Sequence, residues 1–347
     1  MRWSRAVAMI EAHAEGEVGR VVTSGLPVIP GTTPAEQMRH LNEVDDSLRR
    51  FLVFEPRGAA AMSTNILVPK SLAQADAAFM ILQPDKVHAM SGSNSICVAT
   101  VLLETGMVPM REPETVLHLE TPAGLVTATA TCKNGKCQRV SLGMTPAFVE
   151  RLDHIAEVPG LGKVKLDIAY GGCFYALAEA GQFGLEITPE NARKLVDIGM
   201  RIQQVLNRAT QIVHPEIPAI RGISYTMLTG WNADGQPTGA TILPPGRVDR
   251  SPCGTGNAAR MAVRHARGEV VVGATVSARS IIGGTFDVQL TGLTHVAGRP
   301  ATLSRVSGRG WIHGTHTIGL DPTDPFPHGF LLTDTWGEAL DLLNGPA

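Results

Sequence analysis

Asp249-Arg250-Ser251-Pro252-Cys253-Gly254-Thr255-Gly256-Asn257-Ala258-Ala259 reads as a tight loop opening onto a buried helix. Cys253 is followed by two glycines in three residues, then by the apolar positions Ala258, Ala259, Met261, Ala262 and Val263. A thiol there faces free backbone N–H groups and the positive end of a helix dipole. Both favour thiolate over thiol and predict a pKa below the free-cysteine value of about 8.5. The competing reading is a buried structural cysteine, but those usually sit inside elements rather than at a glycine-rich helix mouth. Residues 254–259 also fit the dinucleotide pattern G-x-G-x-x-A. That pattern needs an apolar strand before it and an acidic residue about 20 positions on. Asp249-Arg250-Ser251-Pro252 is no strand end, and residues 272–280 contain no acid, so the nucleotide reading is set aside.

The chain carries an echo of this stretch. Met90-Ser91-Gly92-Ser93-Asn94-Ser95 is again a small-residue loop, leading into an apolar helix over 96–104 that Gly106 stops. Ser91 stands as Cys253 stands, one residue before a glycine at a helix mouth. Two half-chains, each giving one reactive residue at a helix N-terminus, predict a site closed between two domains. A substrate carboxylate would sit on both sets of N–H groups.

Length and composition bound the alternatives. The chain has 347 residues, enough for two domains and a substantial core. Charged residues are 18% and hydrophobic ones 44%, the balance of a globular protein rather than a disordered one. A formal charge of −2 gives no electrostatic reason to expect nucleic acid. No apolar run approaches the length of a transmembrane helix, and the apolar run 6–10 is too short for a signal peptide. A cytoplasmic location is the expectation. The five cysteines, Cys97, Cys132, Cys137, Cys173 and Cys253, are odd in number and irregular in spacing, so they form no disulfide framework. Cys132 and Cys137 flank Lys133-Asn134-Gly135-Lys136, whose Asn-Gly marks a two-residue hairpin and sets the cysteines opposite each other. They are expected as free thiols and match no zinc spacing.

Along the chain, 6–22 reads as strand with bends at Gly16 and Gly19. Thr33-Pro34-Ala35-Glu36 is a capping box opening a helix with an apolar stripe from Met38 to Phe51. Strands are expected over 51–55, 65–68, 77–82, 115–119, 124–131 and 138–142. The stretch 146–159 reads as a crossing between halves. Further strands fall at 164–169, 224–228, 240–243, 270–276, 285–290 and 301–306, and 174–180 is short and apolar. Thr188-Pro189-Glu190 is read as the cap of a long helix, and the tail 331–343 as a last helix. Many strands with few helices are not the alternation of a doubly wound fold. The expected class is α/β (α+β): two similar strand-rich domains, each around a central helix. The domains are placed at 1–150 plus 325–347 and at 151–324.

Other polar residues weigh less. His313-Gly314-Thr315-His316 has no acidic or cysteine ligand nearby in sequence and is read as an incidental pair. His13, beside Glu15 and Glu17, reads equally as catalytic or as polar surface. His88 reads either as a group supporting the Ser91 loop or as surface. Asp249, four residues before Cys253, is placed to meet a substrate ammonium, or else to make its own turn.

These residues resemble a known family. Residues 249–256 are similar to the second active-site motif of the proline racemase superfamily, and 90–94 to its first, in which Cys usually stands where Ser91 is. Glu55-Pro56-Arg57-Gly58, Asp167-Ile168-Ala169-Tyr170-Gly171-Gly172 and His214-Pro215-Glu216-Ile217-Pro218 match as well. The resemblance implies a diaminopimelate-epimerase-like fold and a mechanism needing neither metal nor cofactor. Ser91 and Cys253 would face opposite sides of Cα. Gly92, Ser93, Gly254 and Thr255 would hold the carboxylate, Asp249 the ring nitrogen, and Leu243 and Tyr225 would lie against the substrate. Ser93 and Ala59 stand where His is frequent. The Ser/Cys pair resembles hydroxyproline enzymes more than proline racemases, which carry two thiols. Serine without a partner base is a poor proton acceptor. The first expectation is therefore dehydration of trans-3-hydroxy-L-proline to Δ1-pyrroline-2-carboxylate, with 2-epimerisation as a side activity. 4-Hydroxyproline 2-epimerase is the alternative, and a non-catalytic cyclic amino acid binding protein the rival outside enzymology. A homodimer is compatible with the sequence; neither a nucleic acid nor a membrane partner is expected.

Overall fold

In the computed structural model, which describes residues 2–332 apart from Ala219, Ala233 and Pro245, the chain traces one strand pattern twice. In the first half, β1 (Arg5–Ala14) and β2 (Glu17–Ser24) form a hairpin, followed by α1 (Pro34–Glu43) and α2 (Ser47–Val53). Then come β3 (Ser63–Val68), β4 (Ala77–Leu82), β5 (Val87–His88), α3 (Gly92–Glu104), β6 (Glu114–Thr121), β7 (Gly124–Lys133) and β8 (Lys136–Gly143). Pairing is antiparallel for β1–β2, β3–β4, β4–β5, β6–β7 and β7–β8, and parallel for β2–β3 and β4–β6.

The second half contains β9 (Ala147–Val158), β10 (Gly162–Tyr170), β11 (Phe174–Glu179), α4 (Ala192–Ala209), β12 (Tyr225–Trp231), β13 (Pro237–Leu243) and β14 (Arg247–Val248). It ends with α5 (Gly254–Ala266), β15 (Thr275–Ser280), β16 (Thr285–Val296) and β17 (Arg299–Gly308). Strands β10 to β17 repeat the pairings of β1 to β8 one for one, including the parallel pairs β11–β12 and β13–β15. β9 pairs with both β10 and β17 and closes the second half into a ring. β18 (Gly310–Leu320) pairs with β1. Beyond it, Phe330 bridges to Glu55 of the first half. β8 also pairs with β17, which joins the two halves.

α3 is buried on every side from Gly92 to Leu103, with Ile96, Val98, Ala99 and Val101 fully enclosed. A helix apolar all round belongs in a core, and each such Ile or Val contributes about 1.5–3 kcal/mol. α5 is more amphipathic; its Ala258, Met261 and Ala262 join the same core as α3. The expected hairpin at Asn134-Gly135 forms with positive φ at both residues, and Cys132 and Cys137 are register partners and free thiols.

Several expectations are corrected. Residues 6–22 are a hairpin turning at Glu15-Gly16, not one bent strand. Residues 51–53 end α2, where Leu48, Phe51 and Leu52 bury one helical face; no strand forms over 51–55. The crossing at 146–159 is largely the long strand β9, because each ring needs a closing strand. The expected strand at 270–276 begins only at Thr275. Thr33 caps α1 through its hydroxyl, but Glu36 reaches back to Thr32 instead of Thr33. Thr188 precedes a short 3-10 turn at Pro189–Asn191, and α4 starts only after it. The helix expected at 331–343 lies outside the described residues beyond Leu332. No helix among the described residues is long and apolar enough to cross a membrane.

Candidate active site

The mouths of α3 and α5 meet face to face. A Cβ added to Gly92 would lie 3.6 Å from the Cα of Gly254, and the reverse distance is also 3.6 Å. Each mouth presents unpaired N–H groups and the positive pole of a helix, equivalent to roughly half an elementary charge. Two like poles held this close favour an anion between them. Gly92 and Ser93 lie in the first turn on one side, and Gly254 and Thr255 on the other.

Each mouth carries the residue expected of it. Ser91 is the N-cap of α3; its Oγ accepts from Asn94 N at 3.5 Å and Asn94 Nδ2 at 3.0 Å, and lies 3.3 Å from Ser93 Oγ. Cys253 is the N-cap of α5. Its φ is +69°, a conformation that costs a non-glycine residue about 1–3 kcal/mol. Neighbours hold it there. Ser251 Oγ accepts the Cys253 N–H at 3.1 Å, and Asn257 Nδ2 donates to the carbonyls of Pro252 at 2.6 Å and Cys253 at 2.9 Å.

The sulfur faces Tyr175, whose hydroxyl lies 3.4 Å from Cys253 Sγ and 2.6 Å from Thr255 Oγ1. Tyr175 is the register partner of Tyr225, and their rings sit 5.6 Å apart. The Tyr225 hydroxyl is 3.4 Å from His88 Nδ1, and His88 Nε2 is 2.9 Å from Asp85 Oδ1. Asp85 and the Tyr225 hydroxyl thus hold the two ring nitrogens of His88. His88 and Tyr225 therefore bridge the two halves beside the cleft. Leu243 ends β13 opposite Arg247, buried.

Asp249 is buried, and its Oδ1 accepts both the N–H and the hydroxyl of Ser251 at 2.8 Å each. Burial and the nearby Glu17 carboxylate push its carboxyl above the ordinary range; Arg247 and the Ser251 bonds oppose them. Glu17 comes from the other half. Its Oε1 accepts from Arg247 Nη1 at 2.7 Å and its Oε2 from the Arg250 N–H at 2.9 Å.

One electrostatic expectation is overturned. The Cys253 thiol is pushed up to about 12, first by burial and then by the negative Asp249, against the hydrogen bonds from Tyr175 and Gly256 N–H. Only 6% of Cys253 is exposed, so desolvation of the thiolate outweighs the helix mouth.

The glycines of Tyr170-Gly171-Gly172 are explained by the same mouth. A Cβ on Gly171 would lie 2.2 Å from the Thr255 carbonyl oxygen, and Gly172 has φ +123°. Other sequence candidates lie apart. His13 stacks on Trp311 at 5.1 Å and accepts the Gly16 N–H. His313 lies at a bulge of β18 with its ring 5.9 Å from that of His13, and His316 Nδ1 is 3.3 Å from Glu11 Oε1. A separate cleft of about 410 Å³ contains neither Ser91 nor Cys253, and several of its charges pair with one another, as in Lys165–Asp153 at 2.9 Å and Arg267–Asp167 at 2.6 Å.

Sequence reasoning missed Tyr175, Asn94, Asn257 and the Glu17–Arg247 pair. Asn94 and Asn257 carried a signal, since each follows its motif residue by one helical turn. Tyr175 and Glu17 carried almost none, one inside an apolar run and one in a strand.

Comparison with known proteins places the chain in a family. The family model described as "Proline racemase" matches residues 9–331. A 4-hydroxyproline 2-epimerase of Agrobacterium fabrum is 53% identical over 339 residues, spanning 97% of this chain and 98% of its own. The crystal structure of a hydroxyproline epimerase from Agrobacterium vitis with bound trans-4-hydroxy-L-proline superposes with a TM-score of 0.91 at 52% identity, over 98% of this chain and 100% of the other. A PhzF-family phenazine biosynthesis protein of Bacillus anthracis, 11% identical, matches with a TM-score of 0.56 over 90% of this chain and 99% of its own, a likeness of fold alone.

Proposed function

Because this chain belongs to the proline racemase family, we propose that it is a cofactor-independent 4-hydroxyproline 2-epimerase, interconverting trans-4-hydroxy-L-proline and cis-4-hydroxy-D-proline. The observation that carries the reading is the apposition of the Ser91 and Cys253 helix mouths, one proton-transfer group on each. Inversion at Cα needs a group on each face. The relatives named 4-hydroxyproline 2-epimerase, matched over nearly the whole chain, support the same substrate.

The chemistry follows from the groups present. The substrate carboxylate sits on the N–H groups of Gly92, Ser93, Gly254 and Thr255, and the ring ammonium docks on Asp249. On one face the Cys253 thiol first gives its proton to solvent, and the thiolate so formed takes the Cα proton. The bonding pair moves into the carboxylate, and the helix mouths stabilise the resulting enediolate. On the other face Ser91 Oγ–H gives its proton to Cα, leaving a thiol and an alkoxide that solvent protons reset. In the reverse direction Ser91 must act as base. Asn94 N–H, Asn94 Nδ2–H and Ser93 Oγ are within reach of that oxygen, so the alkoxide is better stabilised than in a lone serine. These donors support Ser91 as the second proton-transfer group. Epimerisation of 4-hydroxyproline thus ranks first, and dehydration of trans-3-hydroxy-L-proline second.

The test is to incubate the protein with each stereoisomer separately, following optical rotation and the cyclic imine. Interconversion of trans-4-hydroxy-L-proline and its cis-D epimer is expected. Rapid imine formation from trans-3-hydroxy-L-proline without inversion of 4-hydroxyproline would reverse the order.

A further inference from the structure

We propose that Glu17 is a positioning residue of this site: reaching from the other half, it clamps both ends of the Arg247–Arg250 segment and so sets the placement and charge of Asp249. The inference rests on the reading of Asp249 as the group that meets the substrate's ring nitrogen.

The β1–β2 hairpin tip is built to dock on the second half. A Cβ on Gly16 would lie 2.4 Å from Ile282 Cδ1, and Glu15 accepts from Thr285 N at 3.1 Å and from Arg309 Nε at 3.0 Å. Glu17, 3% exposed, is carried in with it. Its two oxygens take separate partners, Arg247 Nη1 and Arg250 N, on either side of Asp249. From Asp249 the order passes along the loop: Asp249 Oδ1 holds Ser251, and Ser251 Oγ holds the N–H of Cys253. One carboxylate thus anchors the loop that bears both Asp249 and the strained Cys253.

The cluster is also an electrostatic device. Glu17, Arg247 and Asp249 are all buried, and Arg247 Nε and Nη2 have no hydrogen-bond partner among the described residues. With every group ionised the three carry one net negative charge, which a cationic ring nitrogen at Asp249 neutralises. Anions fit less well, since a second negative charge there would be buried unpaired. The other titratable groups facing the cluster are Cys97 on α3 beside Glu17, Tyr225 on β12 beside Arg247, and Cys253 beside Asp249. Arg250 contributes its backbone N–H to Glu17, while its guanidinium turns to the Val248 carbonyl.

The test compares Glu17→Gln and Arg247→Gln by the pH profile of kcat/KM, read as Cα-hydrogen exchange in deuterated water with 4-hydroxyproline and proline. Removing the Glu17 charge leaves Arg247 alone beside Asp249, so the acid limb is expected to move to lower pH by about 1–3 units. Arg247→Gln leaves Asp249 beside a carboxylate, so its limb moves up. A merely structural role lowers activity at every pH with the limb in place in both variants, and that result overturns the proposal. If a neutral variant does not fold, Glu17→Asp takes its place. Its shorter side chain draws the negative charge back from Asp249, so the acid limb moves to lower pH by a smaller amount; a limb left in place overturns the proposal here too. Wild-type protein that exchanges neither amino acid refutes the epimerase reading, which is a different failure.

Discussion

Tyr175 places its hydroxyl 3.4 Å from the sulfur of Cys253. That contact opposes the burial that holds the thiol up. A hydrogen bond to a charged group contributes about 1.5–3 kcal/mol. Tyr175→Phe is therefore expected to lower kcat roughly 10- to 100-fold while the protein stays folded. The measurement is kcat with circular dichroism; a wild-type rate would show that the hydroxyl does not serve the sulfur.

Cys253 at rest is a thiol, so alkylation of the free protein by iodoacetamide at neutral pH is expected to be slow there and to accelerate steeply as pH rises. Cys253→Ser should abolish nearly all epimerisation, whereas Cys132→Ser and Cys137→Ser, on a distant hairpin, should not. Peptide mapping of the alkylated protein checks the first point. Retention of most turnover by Cys253→Ser would refute the assignment.

Ser91→Ala removes the proton-transfer group from one face only. One epimer of 4-hydroxyproline is then expected to exchange its Cα hydrogen for deuterium without inverting, on the face that Cys253 serves. NMR of each epimer in deuterated water makes the measurement. Undiminished inversion would exclude Ser91 from the chemistry.

Gly92→Ala separates binding from folding. Its Cβ meets Gly254 at an ordinary van der Waals distance of 3.6 Å, so the fold should tolerate it, but it fills the space between the helix mouths. KM is expected to rise at least tenfold, with about the wild-type Tm. Gly171→Ala, with a backbone oxygen 2.2 Å from the new methyl, is expected to destabilise the fold itself. Thermal melts beside kinetics distinguish the two.

Asp249 carries a pH signature of its own. Its folded-state pKa is raised, so the stability it lends is present below the unfolded carboxyl value and is lost as pH rises through the folded one. Asp249→Asn is therefore expected to melt higher than wild type at neutral and alkaline pH, while losing the ring-nitrogen contact and most activity. A lower Tm at pH 8 would contradict the sign.

No cofactor is needed by the groups assigned. Exhaustive dialysis against EDTA is expected to leave turnover unchanged; loss of activity that a divalent metal restores would require a different mechanism.

The sequence by itself determined the features whose causes are local. Both helix mouths, the Asn134-Gly135 hairpin and the β-branched strands were legible because capping, turn conformation and side-chain alternation act within a few residues. The likeness of the 91 and 253 loops even foreshadowed the repeated fold. Tertiary structure alone decided the rest. β9 is a long strand because it closes the second half's ring between β10 and β17, and β18 because it adds along β1, demands no local pattern expresses. Tyr175 reaches Cys253, and Glu17 reaches Arg247, across 78 and 230 positions of chain. The charge of Cys253 also turned on assembly. The helix mouth that favours a thiolate is written in the motif, but the loss of water around the sulfur arises only when Tyr175, Leu177 and Met227 pack around it. In surroundings of low polarity that loss outweighs the attraction of the helix mouth for a negative charge.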